Sequence, residues 1–587
     1  MRPDSIKGLG SRIRRDRRGQ DRNSRLRAAV IVLRLPPPPS TSPPPSTSPL
    51  RRSPRLLAGV GALIVVIAGV VLALVLSGGS RPPAAAFVPT LRTYAGPESI
   101  FNPGTELTTD TAGTLDQIRR LGAERVHVYL HWSDIAPDIT SKLRPSFDAS
   151  NPAAYPAANW TLFDTIIRDI KARGMGVDLA LVPPPPRWAS GNGAPDPSTQ
   201  TEWRPSAPEF GQFVTAVATR YSGHYIPAGA TKPLPRVNFW SIWNEPNLGT
   251  ELAPQAVDHS QVEVSSRLYR KLLDAAWTAL QTTGHGHDMI LIGEIAPAGS
   301  TTGAGPGNFN SMAPLRFLRA LYCVDSSYRQ LRGEAARLRG CPTTAAGSAT
   351  FAAQNPGLFH AGAFADHPYP QGLPPTTVTP DEPDFAELAE IPKLERVLDY
   401  LQRVYGSHTR FPIYSTEFGY QTTPPDTEAG TVSPQTAAAW LNWSEYLTWR
   451  DPRIRSYDQY LLTDPPRGCL ASGLESATGT PKPGFYAYRM PIYLPATTTD
   501  HGHPLEVWGG ARPAHFATLS THRLQRVEIQ FRPASGGGFR TVATVTVTRY
   551  GYLDVKQVFP GSGTVRLAWS YPHGPQVFSR TVVVRLR

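Results

Sequence analysis

Two glutamates in this chain stand where a carboxylate can do chemistry. Glu245 lies in Trp243-Asn244-Glu245-Pro246-Asn247, directly after the apolar run 237–243 (VNFWSIW). Glu417 lies in Thr416-Glu417-Phe418-Gly419, directly after 411–415 (FPIYS). Each acid therefore follows a stretch with the composition of a buried strand. Two carboxylates at strand tips of one sheet can face each other across its edge. One can then deliver a proton to an acetal oxygen while the other attacks the acetal carbon, the division of labour that glycosidic cleavage requires. Between them in the sequence, His367-Pro368-Tyr369 follows 362–366 (GAFAD). Trp132, Trp188, Trp240 and Trp243 supply flat faces of the kind on which sugar rings stack.

These residues need a scaffold, and the hydrophobic pattern supplies one. Short apolar runs at 125–130, 176–182, 237–243, 289–293, 362–366, 411–415 and 456–462 alternate with helical patterns. The helices are read at 114–121, 160–173, 207–221, 265–281, 391–404 and 434–450, with Gly174 as a stop signal. An eighth strand is expected around 91–95. Such alternation predicts a parallel sheet with helical crossovers, and eight repeats predict a closed (β/α)8 barrel whose chemistry sits at the C-terminal strand ends. A doubly wound open sheet is the alternative, but it calls for an early glycine-rich phosphate turn that this sequence lacks. After about residue 500 the pattern changes to strand-like segments at 525–531, 541–547, 563–569 and 580–586. These predict a small antiparallel β-sandwich over 501–587. Packing against the barrel is its expected role, with Trp508 at the junction.

The N-terminal region is of another kind. Fourteen Lys and Arg against three acids within residues 1–55 hold eleven of the thirteen formal positive charges, and the rest of the chain is close to neutral. A nucleic-acid partner is excluded on that ground, because such a partner needs a basic face on the folded part. Residues 1–55 read as a basic, proline-rich cytoplasmic tail. The uncharged apolar run that follows, within 56–77, reaches about 30 Å as a helix, enough to span a bilayer. Arg51, Arg52 and Arg55 favour a cytoplasmic N-terminus. The expected organisation is one transmembrane helix at 56–77, a linker at 78–90 and a catalytic barrel at 91–500 outside the cytoplasm of a membrane-anchored, single-pass protein. A cleaved signal peptide ending near Ala84-Ala85-Ala86 is the rival reading. Of the three cysteines, Cys323 and Cys341 are the nearest pair and could close a small loop, with Cys469 left over. The pairs His285/His287 and His501/His503 lack further ligands at metal-binding spacing, so neither a metal nor a cofactor is expected.

The motifs also carry a family resemblance. Residues 91–500 resemble clan A glycoside hydrolases, TIM-barrel retaining enzymes that include families 5 and 39 and their cellulases and xylosidases. Asn244-Glu245 matches the acid/base position after the fourth strand, Glu417 the nucleophile after the seventh, and His367-Pro368-Tyr369 the His-x-Tyr after the sixth. The resemblance implies that Glu245 starts protonated and Glu417 ionised. It also implies that Asn244 binds the sugar 2-hydroxyl, Tyr369 orients Glu417 and His367 lines the pocket, with Trp132, Trp188 and Trp243 as further substrate contacts. Many clan members carry an arginine on the second strand near the nucleophile. Here that place falls to His127, with Arg125 two residues earlier on the same face. The carbohydrate is expected to be cleaved at a β-linkage. A non-catalytic glycan-binding or scaffolding role in the cell envelope, or transglycosylation, is the alternative.

Overall fold

The computed structural model describes residues 96–587 except 196–199, 257–259, 301–309, 428 and 467–469. The expected tail, transmembrane helix and linker therefore lie outside the described residues. No helix among the described residues is long and apolar enough to cross a membrane.

Eight parallel strands form the body of the protein: β1 Glu98–Asn102, β2 Arg125–His131, β3 Gly176–Val182, β4 Phe239–Ile242, β5 Met289–Ile295, β6 Ala363–Asp366, β7 Ile413–Ser415 and β8 Ser456–Tyr460. They pair in chain order, with β1 also joined to β8. A parallel bridge between Ile413 and Ile454 brings β7 to β8 and closes the ring. The open-sheet alternative is thereby set aside. The stretch expected as a strand at 91–95 lies outside the described residues, and the described first strand starts at Glu98. The main helices between strands are α1 Thr111–Leu121, α2 Ala157–Ala172, α3 Ala207–Arg220, α4 Ser265–Thr282, α5 Pro314–Leu321, α6 Ile391–Val404 and α7 Pro434–Arg450, and α8 Pro483–Arg489 follows β8. Their starts are chemically marked. Asp110, Ser206 and Ser433 accept from backbone N–H groups in the first turns of α1, α3 and α7. Gly122 takes the left-handed conformation that ends α1.

Strand alternation sorts the interior from the wall. On β2, Val126, Val128 and Leu130 belong to the apolar layer shared with the helices. Arg125, His127 and Tyr129 take the opposite face. Toward the N-terminal end, the ring is filled by Ile100, Phe239, Leu291, Ala363, Ala365 and Tyr414, with the Arg125 guanidinium over the Phe239 ring at 4.0 Å. Above this apolar plug lies an ionic storey. His127 Nδ1 is 2.8 Å from Asp178, and Ser241 donates to the other Asp178 oxygen at 2.9 Å.

The regular alternation breaks twice, both times next to the mouth. On β5, Gly293 pairs with Ala365 and Ile295 with Asp366, which leaves Glu294 as the extra residue of a bulge. Gly293 has φ +108°, and a Cβ there would meet the Ala365 carbonyl oxygen at 2.5 Å, so only glycine fits. After β4, Trp243 and Glu245 have φ of +72° and +36°. The left-handed turn lets Ile242 and Trp243 both face the helices and returns Glu245 toward the barrel axis.

The C-terminal region forms two sheets around a second core that includes Ile492, Val507, Ile529, Leu567 and Val584. One sheet contains Arg526–Pro533, Arg540–Thr546, Gly563–Ser570 and Val582–Leu586. The other joins Leu505–Gly510 to Tyr552–Gln557 and Ile492–Tyr493. The second sheet thus draws on residues before 501, and a helix at Ala514–Thr521 interrupts what the sequence reads as strand and turn only. The junction with the barrel is dense. Trp508 is fully buried against Tyr446 and Trp449 of α7 and against Tyr552. Arg512 pairs with Glu445 at 2.8 Å, and Tyr552 donates to the same carboxylate at 2.7 Å. Cys323 and Cys341 form a disulfide, and Cys469 lies outside the described residues.

Both partners of the Arg512–Glu445 pair are almost wholly buried, so removing one charge strands the other in a poorly solvated site. Arg512→Met should destabilise the protein by about 3–5 kcal/mol in urea unfolding. Arg512→Met combined with Glu445→Leu should recover part of that loss.

Candidate active site

The two sequence-predicted acids meet at the C-terminal mouth of the barrel. One carboxylate oxygen each from Glu245 and Glu417, with one ring nitrogen of His367, lie within 4.8 Å of one another. His367 is fully buried at the tip of β6. Its Nδ1 is 3.0 Å from Glu245 Oε1 and 3.7 Å from Glu417 Oε2. Its Nε2 is 3.0 Å from Glu294 Oε2. Burial disfavours the imidazolium, but the hydrogen bonds and charges of Glu245 and Glu294 outweigh it and push His367 up to about 9.

Glu417 is held from two sides. Tyr369 donates to Oε2 at 2.8 Å, and Tyr129 donates to Oε1. Burial pushes the Glu417 carboxyl up to about 8, with the charge of His127 opposing it. Tyr369 itself stacks on Phe418, with Tyr460 edge-on to it. The negative charges of Glu417, Glu245 and Glu251 all act on the Tyr460 phenol, which burial and those charges hold well above its ordinary value. Tyr460 is thus set among the acids of the mouth.

Beside Glu245, the backbone is tied down. Its N–H donates to the Glu294 carbonyl at 2.8 Å. Asn244 hydrogen-bonds the Glu251 side chain, whose carboxyl is raised well above the ordinary range by burial and by the Glu245 charge. Asn244 is therefore placed beside the acids with its amide oriented by Glu251.

The tryptophans expected at the sugar are a correction. Trp132 and Trp243 are fully buried. Trp132 stacks on Phe213 at 5.4 Å, while Trp243 lies edge-on to Phe210 and donates its indole N–H to the Glu251 carbonyl. Neither has a face open to a substrate, because both point into the layer between strands and helices. Trp188 is half-buried, packed on Trp132 and Phe147, with its N–H on the Pro137 carbonyl. Its ring also serves the wall of the core. Trp240 packs edge-on to His285, whose nitrogens are taken by Asp288 and the Ala218 carbonyl.

Tyr460 and Glu251 escaped the sequence reading, as did two residues that touch the central trio directly. Tyr129 lies two positions beyond His127 and so shares its face one storey nearer the mouth, which simple alternation along β2 would have shown. Glu294 reaches the site only through the bulge at Gly293. Its signal is a glycine inside an apolar strand followed at once by an acid. The inward face of β2 presents His127 and Tyr129, and Tyr129 reaches Glu417. Burial works against charging His127, but Asp178 outweighs it and holds the imidazole above its ordinary value. Arg125 instead pairs with Glu98 at 2.9 Å, at the opposite end of the barrel.

No family model matches the chain, and no curated protein matches it. Among solved structures, a family 39 glycoside hydrolase from the gut symbiont Bacteroides cellulosilyticus WH2 is similar at 13% identity and a TM-score of 0.43, over 79% of this chain and 81% of that one. A glucosidase from Croceicoccus marinus is similar at 11% identity and a TM-score of 0.39, over 80% of this chain and 88% of that one. A family 1 β-glucosidase from Thermotoga maritima is similar at 14% identity and a TM-score of 0.36, over 61% and 78%. Likeness at this level transfers neither substrate nor mechanism to this chain.

A phenol that donates to a carboxylate favours its ionised form. Tyr369→Phe should therefore raise the Glu417 titration midpoint, by about one unit for the loss of one charged hydrogen bond. Carboxyl ¹³C NMR across the pH range reads this directly, and an unchanged or lowered midpoint would contradict the assignment of that contact.

Proposed function

We propose that the chain is a retaining glycoside hydrolase that cleaves O-glycosidic bonds of a poly- or oligosaccharide by double displacement. The observation that carries this reading is the approach of the Glu245 and Glu417 carboxylates to within 4.8 Å at the mouth of the barrel. Retaining enzymes hold their two carboxyl groups about 5–5.5 Å apart, whereas inverting enzymes leave about 6.5–9.5 Å for a water.

In the first step Glu417, in the carboxylate form that the Tyr129 and Tyr369 phenols favour against its burial, attacks the anomeric carbon as the bond to the leaving oxygen breaks, and Glu245 gives that oxygen its proton. A glycosyl ester on Glu417 results. In the second step Glu245 takes a proton from water, the water oxygen bonds to the anomeric carbon, and the ester bond breaks to restore the Glu417 carboxylate. Tyr129 and Tyr369 orient Glu417 for the attack. Asn244, braced by Glu251, is offered to the 2-hydroxyl of the sugar. A β-linkage is the proposed target.

The proposed setting is extracytoplasmic, with the apolar run at 56–77 as a membrane anchor. The disulfide Cys323–Cys341 supports an oxidising compartment. The C-terminal sandwich is proposed to brace the barrel, a role supported by the burial of Trp508 and Arg512 at the junction.

The test is turnover of the full chain on a panel of aryl β-glycosides and polysaccharides, with the product anomer followed by NMR. Glu245→Gln and Glu417→Gln should each lower kcat by at least ~10²-fold, and the first product should keep the substrate's anomeric configuration. An inverted product overturns double displacement. Sugar binding without turnover in the unaltered chain would point instead to a glycan-binding role.

A further inference from the structure

Glu294 is the group at the mouth that the proposed reaction does not yet use. It is buried, delivered by a bulge that only Gly293 permits, and held at φ +47°. Its Oε2 accepts from Thr416 Oγ1 at 2.5 Å and faces His367 Nε2 at 3.0 Å. The opposite nitrogen of the same ring faces Glu245. A neutral imidazole carries one N–H and one bare lone pair, so it can serve only one of these two carboxylates as a donor. When both of these carboxyl groups are ionised, the ring is satisfied only as the doubly protonated cation.

We propose that Glu294 is a positioning residue whose carboxylate keeps His367 doubly protonated, so that Nδ1–H stays a donor toward Glu245 and Glu417 through both halves of the reaction. The inference rests on the retaining reading of the site. A permanent donor at that place has two consequences. It stabilises the negative charge on Glu245 once its proton has left for the glycosidic oxygen. It also denies Glu245 a nearby base, so that its proton goes to the leaving group rather than to the ring. Without the Glu294 charge, His367 would become neutral, keep its hydrogen toward residue 294 and turn a lone pair to Glu245. That lone pair would accept the catalytic proton.

The surroundings leave this role to Glu294. The charged and titratable groups facing His367 from neighbouring elements are Glu245, Glu251 and Glu417, with Asp366 next to it on β6. Those facing Glu294 are His127, Asp366 and the phenol of Tyr269. Asp366 is fully buried, burial raises its carboxyl well above the ordinary range, and it makes no hydrogen bond to the His367 ring. Glu294 differs. Burial raises it too, but the His367 hydrogen bond and the charges of His127 and His367 bring it below its ordinary value. It is the ionised member of the pair.

Glu294→Gln in the full chain tests this cleanly, because the backbone contact to the Glu245 N–H involves the main-chain carbonyl and survives. The expected result is a fall in kcat/KM of about tenfold or more, with both limbs of its pH profile moved to higher pH, since a cation that favours two carboxylates has been discharged. Glu294→Asp, which keeps the charge, should restore the wild-type limbs. Imidazole ¹⁵N NMR supplies a reading that needs no turnover. His367 should show two protonated nitrogens at pH 7 in the unaltered chain and one bare nitrogen in Glu294→Gln. A Glu294→Gln variant whose His367 remains doubly protonated at pH 7, or whose profile drops in height with its limbs unmoved, overturns the proposal. A chain that turns over no glycoside would instead sink the retaining reading, while the imidazole spectra would still decide where the protons of His367 lie.

Discussion

Three carboxylates gather around one imidazole at the mouth of this barrel, and most of the surrounding architecture serves to make that tolerable. Like charges this close repel one another strongly where water is scarce. His367 offsets the repulsion by reaching Glu245 and Glu294 with its two nitrogens and standing 3.7 Å from Glu417. The phenols of Tyr129 and Tyr369 and the Thr416 hydroxyl supply further donors. Beneath, the His127–Asp178 pair adds a second histidine whose charge acts on both Glu294 and Glu417. The interior is therefore stratified, with an apolar plug at the N-terminal end, an ionic storey above it and the reactive acids on top.

That stratification depends on backbone departures from ideal strand geometry. Trp243, Glu245 and Glu294 all sit at positive φ, a conformation that side-chain-bearing residues adopt at a cost of order 1–3 kcal/mol each. In each case the departure re-aims a side chain that simple alternation would have sent elsewhere. The Glu245 N–H to Glu294 carbonyl hydrogen bond joins two of these strained residues. The strain is thus concentrated where the acids must converge, and the well-packed wall around it holds the arrangement in place.

Legibility in the sequence followed the same division. Strand–helix rhythm, the two acids and His367-Pro368-Tyr369 were readable because they obey ordinary periodicity and stand just past apolar runs. Tyr129 was readable in principle from its two-residue offset to His127. Glu294 was not, because a bulge breaks the very alternation from which facing is inferred. Trp132 and Trp243 face the wall for different reasons. Trp132 continues the wall-facing alternation of Val128 and Leu130, whereas Trp243 reaches the wall through a left-handed turn that residue type alone does not report. In the C-terminal region the strands were legible as alternating segments. The sheet contribution of Ile492–Tyr493 was not, because two residues carry no period.

The aromatic junction has a consequence for how the chain comes into being. Helix α7 is made before Trp508 and Tyr552, yet its Tyr446 and Trp449 pack against those later residues. Until the last sheets emerge and dock, the nearly complete barrel carries an uncovered aromatic face and an unmatched Glu445. A chain trimmed at the apparent end of its barrel would keep that face for good. The barrel and its appendage are thus two architectures but one unit of maturation, finished only when the final strands are in place.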